Sequence, residues 1–374
     1  MSYWNDSVHF CKWVGVTCSL RHHQRVVALN LRSHELVGVI LPSVGNLSFL
    51  TSIDLSSNTF NGKISQEFGR LSRLQNLNLS DNSLGGEIPF NLSTCTVLSV
   101  LSISYNVFIG IIPPQLSSLK KLTHLNLDVN NLTGTIPPWI GNCSSLIHLS
   151  LARNTLHGSI PNELGQLSQL QYFRVSVNML SGVIPPSLYN ISSIQFFLVA
   201  LNQLNGSIPP NVGRTLPNLV SFSLDMNCFH GPIPNSLSNA SNLQALDFEE
   251  NDFTGSVPTN LGSLQNLIAL GFANNSLGYR RADDLNFITS LSNCTNMMYL
   301  SLASNHFGGV LPDSVGNLST SLQTLAIRRN LIHGPLPTSI EHGLKNRFWA
   351  ACRELQKRFI SLPTDISGYH VTIP

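Results

Sequence analysis

Apolar residues recur along the chain at fixed offsets, not in the 3.6-residue rhythm of a helix. In residues 71–89, LSRLQNLNLSDNSLGGEIP, the residues Leu74, Leu77, Leu79, Asn82, Leu84, Gly86, Ile88 and Pro89 define the pattern LxxLxLxxNxLxGxIP. The Asn recurs at Asn58, Asn82, Asn106, Asn130, Asn154, Asn178 and Asn202, each time 24 residues on. It continues at Asn227, Asn251, Asn275, Asn305 and Asn330 after gaps of 25, 24, 24, 30 and 25. The same register falls on His34 upstream, which makes 13 repeats. A period of this length predicts a solenoid, because each unit is too small to bury its own core and must stack on its neighbours.

Within a unit, LxxLxL alternates inward-facing leucines and predicts a short strand, so that stacked units form one long parallel sheet. The Asn turns the chain, and its amide is suited to bond backbone groups of neighbouring turns as a ladder. LxGxIP then returns along the outer side through irregular, 3-10 and short strand segments, with Gly permitting a bend and Pro fixing φ. The expected fold class is therefore a right-handed solenoid with its parallel β-sheet on the concave face. At ~4.8 Å per strand, 13 repeats give an inner face roughly 60 Å long.

Departures from the period divide the chain. Residues 1–25 do not fit it, residues 26–337 carry the array, and residues 338–374 lack the pattern. In the early repeats Leu41 and Ser65 stand where Pro is expected. Extra residues enter at GRTLPNL and at NLSTSLQTL. The largest break falls in the irregular repeat 275–304, six residues over the period and without GxIP. There Asp284, Leu285, Phe287, Ile288 and Leu291 predict a short helix directed outward. In the tail, Leu344, Phe348, Ala351, Leu355 and Phe359 lie at helical spacing, with Lys345, Arg347, Arg353, Lys357 and Arg358 between them. Such a stretch covers the last repeat, is a divergent or mis-spliced end, or, as a third reading, is a membrane-surface helix.

Charge narrows the function classes. Charged residues make up 11% of the chain and the net charge is +2, so no electrostatic footprint for nucleic acid is present. No apolar run approaches the ~20 residues of a membrane span. The first residues, MSYWNDSVHF, carry neither a basic nor an apolar export segment. Asn-x-Ser/Thr sequons nevertheless begin at Asn5, Asn46, Asn78, Asn91, Asn131, Asn142, Asn190, Asn205, Asn239, Asn274, Asn293 and Asn317. Asn- and Ser-rich repeats generate some sequons by chance, but bulky sugars at this density suit an exposed extracellular solenoid. A piece of a longer, exported protein is the expectation. A sequon at Asn78, if used, would place sugar on the concave face.

Candidate chemistry is sparse. The motifs GxSxG, GxxxxGK[ST] and HExxH are absent, as are kinase signatures, and the glycines recur at structural positions. The expectation is a non-enzyme with no cofactor and no metal. His124 and His148 would be stacked neighbours on one strand column, but two ligands without a third are weak support for a metal. By residue type alone, Cys11 and Cys18 with His22 and His23 also form a candidate metal set. Cys95, Cys143 and Cys294 each precede their repeat's Asn by 11 residues, where other repeats carry Leu, and read as small buried residues. Cys228 and Cys352 are candidate reactive thiols without a recognisable activating neighbour.

With its GxIP segment after each Asn, the array resembles leucine-rich repeats of the plant type. WNDSVHFCKWVGVTC resembles the second half of the N-terminal cap of that family, through Trp4, Cys11, Trp13, Gly15, Val16 and Cys18. The resemblance implies a Cys11–Cys18 disulfide and a Trp packed over the first repeat. The helices that open the family's cap are not in the chain, which implies a partly uncovered end. The late insertion is similar to one in the pattern-recognition subfamily of plant leucine-rich repeat receptor kinases. That resemblance implies a ligand-binding ectodomain without its kinase, a peptide or protein ligand, microbial in that subfamily, and a co-receptor kinase near the C-terminal end. It also implies an extracellular, plasma-membrane-associated setting for the parent protein. The alternatives are a secreted inhibitor of microbial cell-wall-degrading enzymes, which has about ten repeats and two complete caps, and an interaction scaffold.

Within each strand, the residues six, four, two and one before the Asn point to the concave face. Early columns are small and polar, as at Ser52, Asp54 and Ser56. The middle repeats differ. His148, Arg153, Tyr172, Arg174, Phe196, Leu198, Leu201 and Met226 predict an aromatic and apolar patch. Beside it Asp225, Asp247, Glu249 and Glu250 form an acidic cluster suited to a basic group. The competing account is one degenerate strand, FFL, with a shifted register.

Overall fold

The computed structural model describes Trp4, residues 7–21 and residues 24–339. Asn5, His22, His23, Cys352 and the helical-spacing positions from Leu344 to Phe359 lie outside the described residues.

Strand follows strand along the concave face in one sheet of 14, in chain order. The first, Val16–Cys18, runs antiparallel to Val26–Asn30. From there the neighbours are parallel, through three-residue strands such as Tyr172–Arg174 and Phe196–Leu198, to Thr324–Ala326. Pairing keeps one register, His124 beside His148 beside Tyr172 beside Phe196 beside Ser221. On the far side of each Asn, strands of two to five residues form two further parallel sheets, of five and six strands. The convex side is made of 3-10 turns such as Pro138–Asn142 and Asn162–Gln166.

Inward leucines such as Leu77, Leu79 and Leu84 are fully buried. In the middle repeats phenylalanine takes their place. Phe173, Phe197, Phe222, Phe248 and Phe272 form a spine of ring contacts with centroids 5.3, 5.4, 5.2 and 6.0 Å apart. Each such buried side chain stabilises its repeat by ~1.5–3 kcal/mol against the entropy of ordering it.

The Asn ladder is present, and it has a direction. Asn82 Oδ1 accepts from the Phe60 N–H at 2.9 Å, one repeat upstream. Its Nδ2 donates to the Leu55 carbonyl upstream at 3.0 Å, and to Leu79 and Ser80 of its own repeat. At the first repeat, where His34 replaces Asn, the His34 N–H is itself taken by Asn58 Oδ1. The residue before each Asn adopts a left-handed backbone, as at Val129, Arg153, Val177, Leu201 and Met226, with φ of 51–58°. That conformation costs a non-glycine residue about 1–2 kcal/mol, so turning the chain into the Asn carries strain in every unit.

Two insertions become single helical turns in place of the 3-10 segment. Val212–Thr215 absorbs the residues at GRTLPNL, and Phe287–Leu291 those of the irregular repeat. The second is a correction to the expected outward helix: Leu285, Phe287, Ile288 and Leu291 are buried, with Phe287 against Phe307. Their apolar spacing is core-forming, and it is the loop before them that projects. Asp284 ties that loop down by accepting from the backbone N–H groups of Tyr279, Arg281 and Gly308. Burial opposes its charge, but these donors prevail and hold its pKa below the usual value.

At the N-terminal end Cys11 and Cys18 are disulfide-bonded, which removes them as a metal pair. Trp4 and Trp13 stack with centroids 4.9 Å apart. Their indole N–H groups donate to the carbonyls of Val14 and Val8, and Trp4 packs on the core.

Candidate functional site

The strand register settles which way FFL faces. Phe197 points inward and is fully buried, while Phe196 and Leu198 stand half-buried on the concave face. Because the ladder aligns equivalent residues, four rings stack along one column. His124 and His148 are 5.8 Å apart, His148 and Tyr172 4.3 Å and nearly parallel, and Tyr172 and Phe196 5.4 Å with the rings tilted by 43°. Their faces are spent on each other, so the column offers ring edges to solvent. Phe196 is the end of the stack. Beyond it the same column holds only Ser221, Ala245 and Ala269 before Tyr299. Four ladder steps at ~4.8 Å leave a shallow depression roughly 19 Å long between two aromatic walls.

The acidic residues line that depression. Asp225 accepts from Ser223 Oγ, Asp247 from the Glu249 N–H, and Glu249 from the Tyr299 hydroxyl at 2.9 Å. Burial raises the pKa of all three above the ordinary carboxylate range. For Asp247 the neighbouring Asp225, Glu249 and Glu250 push further in the same direction, since like charges disfavour ionisation. Gly271 forms part of the floor, where a Cβ would come within 2.8 Å of Asp247 Oδ1.

Not every expected residue is displayed. Arg174 is only 8% exposed, because its guanidinium turns back to Asp128 at 3.5 Å. Glu249 is 9% exposed, held by Tyr299. Both are corrections to the expectation that every residue at these offsets is presented. His148, Tyr172, Asp225 and Asp247 are half-buried, and Arg153, Leu201 and Met226 are exposed on the rim by the left-handed turn.

Asp128 had not been singled out by sequence. It is buried beneath the ladder, accepting from Ser150 Oγ and the Ala152 N–H at 2.6 Å each. Burial raises its pKa, against the opposing pull of Arg174. Its one signal was an acid at a concave offset among small residues, two repeats upstream of an Arg. Burial likewise disfavours the charged form of the two histidines, with the His148 pKa lowered to about 4 and that of His124 below its usual value. Cys95, Cys143 and Cys294 are fully buried and Cys228 is exposed. Among the described residues no group of three or more His, Cys, Asp or Glu is placed to hold a metal, and no helix is long and apolar enough to cross a membrane.

A stack of parallel strands, an Asn ladder and a variable concave face define a repeat-built solenoid. Comparison with known families agrees: the model of a leucine-rich repeat region matches residues 30–282, and that of a single leucine rich repeat matches 296–318. The chain belongs to the leucine-rich repeat family. Among curated relatives, the LRR receptor-like serine/threonine-protein kinase EFR of Arabidopsis thaliana is 47% identical over 77 residues, covering 21% of this chain and 8% of that protein. The receptor kinase-like protein Xa21 of Oryza sativa subsp. japonica is 45% identical over 77 residues, covering 21% and 7%. The matched stretch is thus less than a tenth of either relative. Among solved structures, the plant peptide hormone receptor RGFR1 in complex with RGF2 has a TM-score of 0.74 at 32% identity, covering 88% of this chain and 55% of that one. PEPR1–AtPEP1 has a TM-score of 0.68 at 28% identity, covering 89% and 59%.

Proposed function

We propose that this chain is the peptide-recognition part of an extracellular plant receptor, binding an extended peptide along the concave face from His148 to Glu250. The carrying observation is the junction at Phe196, where a ring column ends against an acidic depression floored by small residues. An apolar ligand side chain fits against Tyr172, Phe196 and Leu198, and a basic one above Asp225 and Asp247. Raised carboxylate pKa values favour a cationic guest, because it would relieve the mutual repulsion of Asp225, Asp247 and Glu250. Arg153, Leu201 and Met226 supply the rim. One of the two solved relatives is a plant peptide hormone receptor in complex with RGF2, which supports the class of ligand. Resemblance to the pattern-recognition subfamily favours a microbial source.

The test is selection from a random peptide display library on the purified chain. Captured peptides should be enriched in sequences with an aromatic or aliphatic residue near an Arg or Lys. Phe196→Asp should weaken the best of them at least tenfold, about 1.4 kcal/mol, and Asp247→Asn should erase the preference for the basic residue. Unaltered binding in folded Phe196→Asp and Tyr172→Ala variants sinks the site.

A further inference from the structure

Five sequons occupy the same place in their repeats. Asn46, Asn142, Asn190, Asn239 and Asn293 each stand 12 residues before their repeat's Asn. In space this is where the convex turn ends and the chain heads back to the next strand. The middle residue of each triplet is the anchor into the core, as at Cys143, Ile191, Ala240 and Cys294. Its two flanks therefore face out, and in all five triplets both the Asn and the Ser or Thr are exposed.

Counting the His34 repeat as the first, these are repeats 2, 6, 8, 10 and 12. The odd repeats between carry Arg70, Ser118, Gln166, Thr215 and Ser263 there, none in a sequon. The remaining sequons of the array, such as Asn78, Asn131, Asn205 and Asn274, share no common offset. The five fall on every second repeat with repeat 4 skipped, so that neighbouring sites from Asn142 to Asn293 stand about 10 Å apart at ~4.8 Å per repeat, and Asn46 stands about 19 Å from Asn142. That distance gives each bulky sugar chain its own width of surface. Two nearby sequons break the geometry. In repeat 4 the sequon moves to Asn91, whose amide oxygen is buried without a hydrogen-bond partner. At Asn317 the triplet's Ser319 is buried and donates to the Thr295 carbonyl.

We propose that Asn46, Asn142, Asn190, Asn239 and Asn293 are N-glycosylated and lay a comb of sugars along one edge of the solenoid. At each, the Asn Nδ2 forms a bond to the anomeric carbon of an oligosaccharide. The bond from that carbon to its lipid-linked diphosphate carrier breaks, the diphosphate leaves, and the amide gives up one proton. The comb closes its edge to a macromolecular partner. On the concave face, by contrast, the sequons are Asn78 and Asn274, which flank the stretch from His148 to Glu250 and leave it bare. The inference rests on the extracellular setting proposed above.

The experiment is secretion of the full chain behind a supplied export leader from insect cells, followed by glycopeptide mass spectrometry. Near-complete occupancy at the five comb positions is expected, with Asn91 and Asn317 mostly unmodified. Asn142→Gln, Asn190→Gln and Asn239→Gln should each remove one glycan mass without changing the melting temperature. Peptide binding is measured on the same material before and after enzymatic sugar removal, and should be equal. Occupancy scattered without regard to the comb, or a bare comb beside sugars elsewhere, overturns the inference even if peptide still binds. An occupied comb on protein that binds no peptide upholds it and removes the peptide-receptor reading.

Discussion

At the scale of single residues, the Asn of each repeat does more work than any leucine. Asn154 donates to the carbonyls of Leu127, Leu151 and Ala152 and accepts from the Leu132 N–H, all buried. Asn154→Ala strands these groups at about 1–3 kcal/mol for each that water cannot reach. A loss of at least ~3 kcal/mol is expected in urea denaturation, against ~1 for an average substitution. Asp247 should behave oppositely. Its pKa is raised in the folded state, so the native protein binds more protons than the unfolded chain above the ordinary aspartate value of 3.8, and stability falls as pH rises through that range. Asp247→Asn should therefore raise the melting temperature by a few degrees at pH 7, with the gain shrinking towards pH 4. An equal or reversed effect at the two pH values would contradict the burial of that charge.

Among the elements, the ring column from His124 to Phe196 sets a second pH response. Burial lowers the His148 pKa from 6.5 to about 4, with His124 and Arg174 adding to the shift. The unfolded chain then binds the extra proton first, so the stability that neutral His148 contributes is complete above pH 6.5 and is lost as pH falls towards 4. The groups around it are His124 on one adjacent strand and Tyr172 and Arg174 on the other. His148→Phe keeps the stack and should flatten the pH dependence of stability between 6.5 and 4, which thermal melts across that window would show. Legibility from sequence ends at this scale. The column was readable because inward leucines alternate with displayed residues, so a strand's register fixes the face of Phe196. Arg174 was not, because an offset assigns a face but not the direction of a long side chain, and its partner Asp128 comes from two strands upstream. The segment from Asp284 to Leu291 misled in another way: its apolar spacing announced a helix, but only packing against Phe307 decided that the helix faces in.

For the whole molecule, neighbour stacking makes stability local. Phe197 touches Phe173, Phe222 and Tyr189 and is the second of the five rings of the aromatic spine. Phe197→Ala should cost about 3–5 kcal/mol, and in a quasi-one-dimensional array that loss weakens one junction and leaves the flanks intact. Two resolved unfolding transitions in urea are expected where the parent shows one. The period itself made this architecture readable from sequence, since a dozen Asn in register leave little else to build. The concave face was readable only as a set of offsets, because the repeat prescribes the scaffold and leaves those positions open.

The direction of the Asn ladder also bears on how the chain is made. Each Asn reaches back to the preceding repeat, as Asn82 does to Leu55 and Phe60, so the polar groups that turn a repeat away from its strand are satisfied only when its successor arrives. Synthesis from the N-terminus delivers those successors in the order the bonds require. A chain emerging from the ribosome therefore carries a completed stack behind a single provisional turn, which the next 24 residues make permanent.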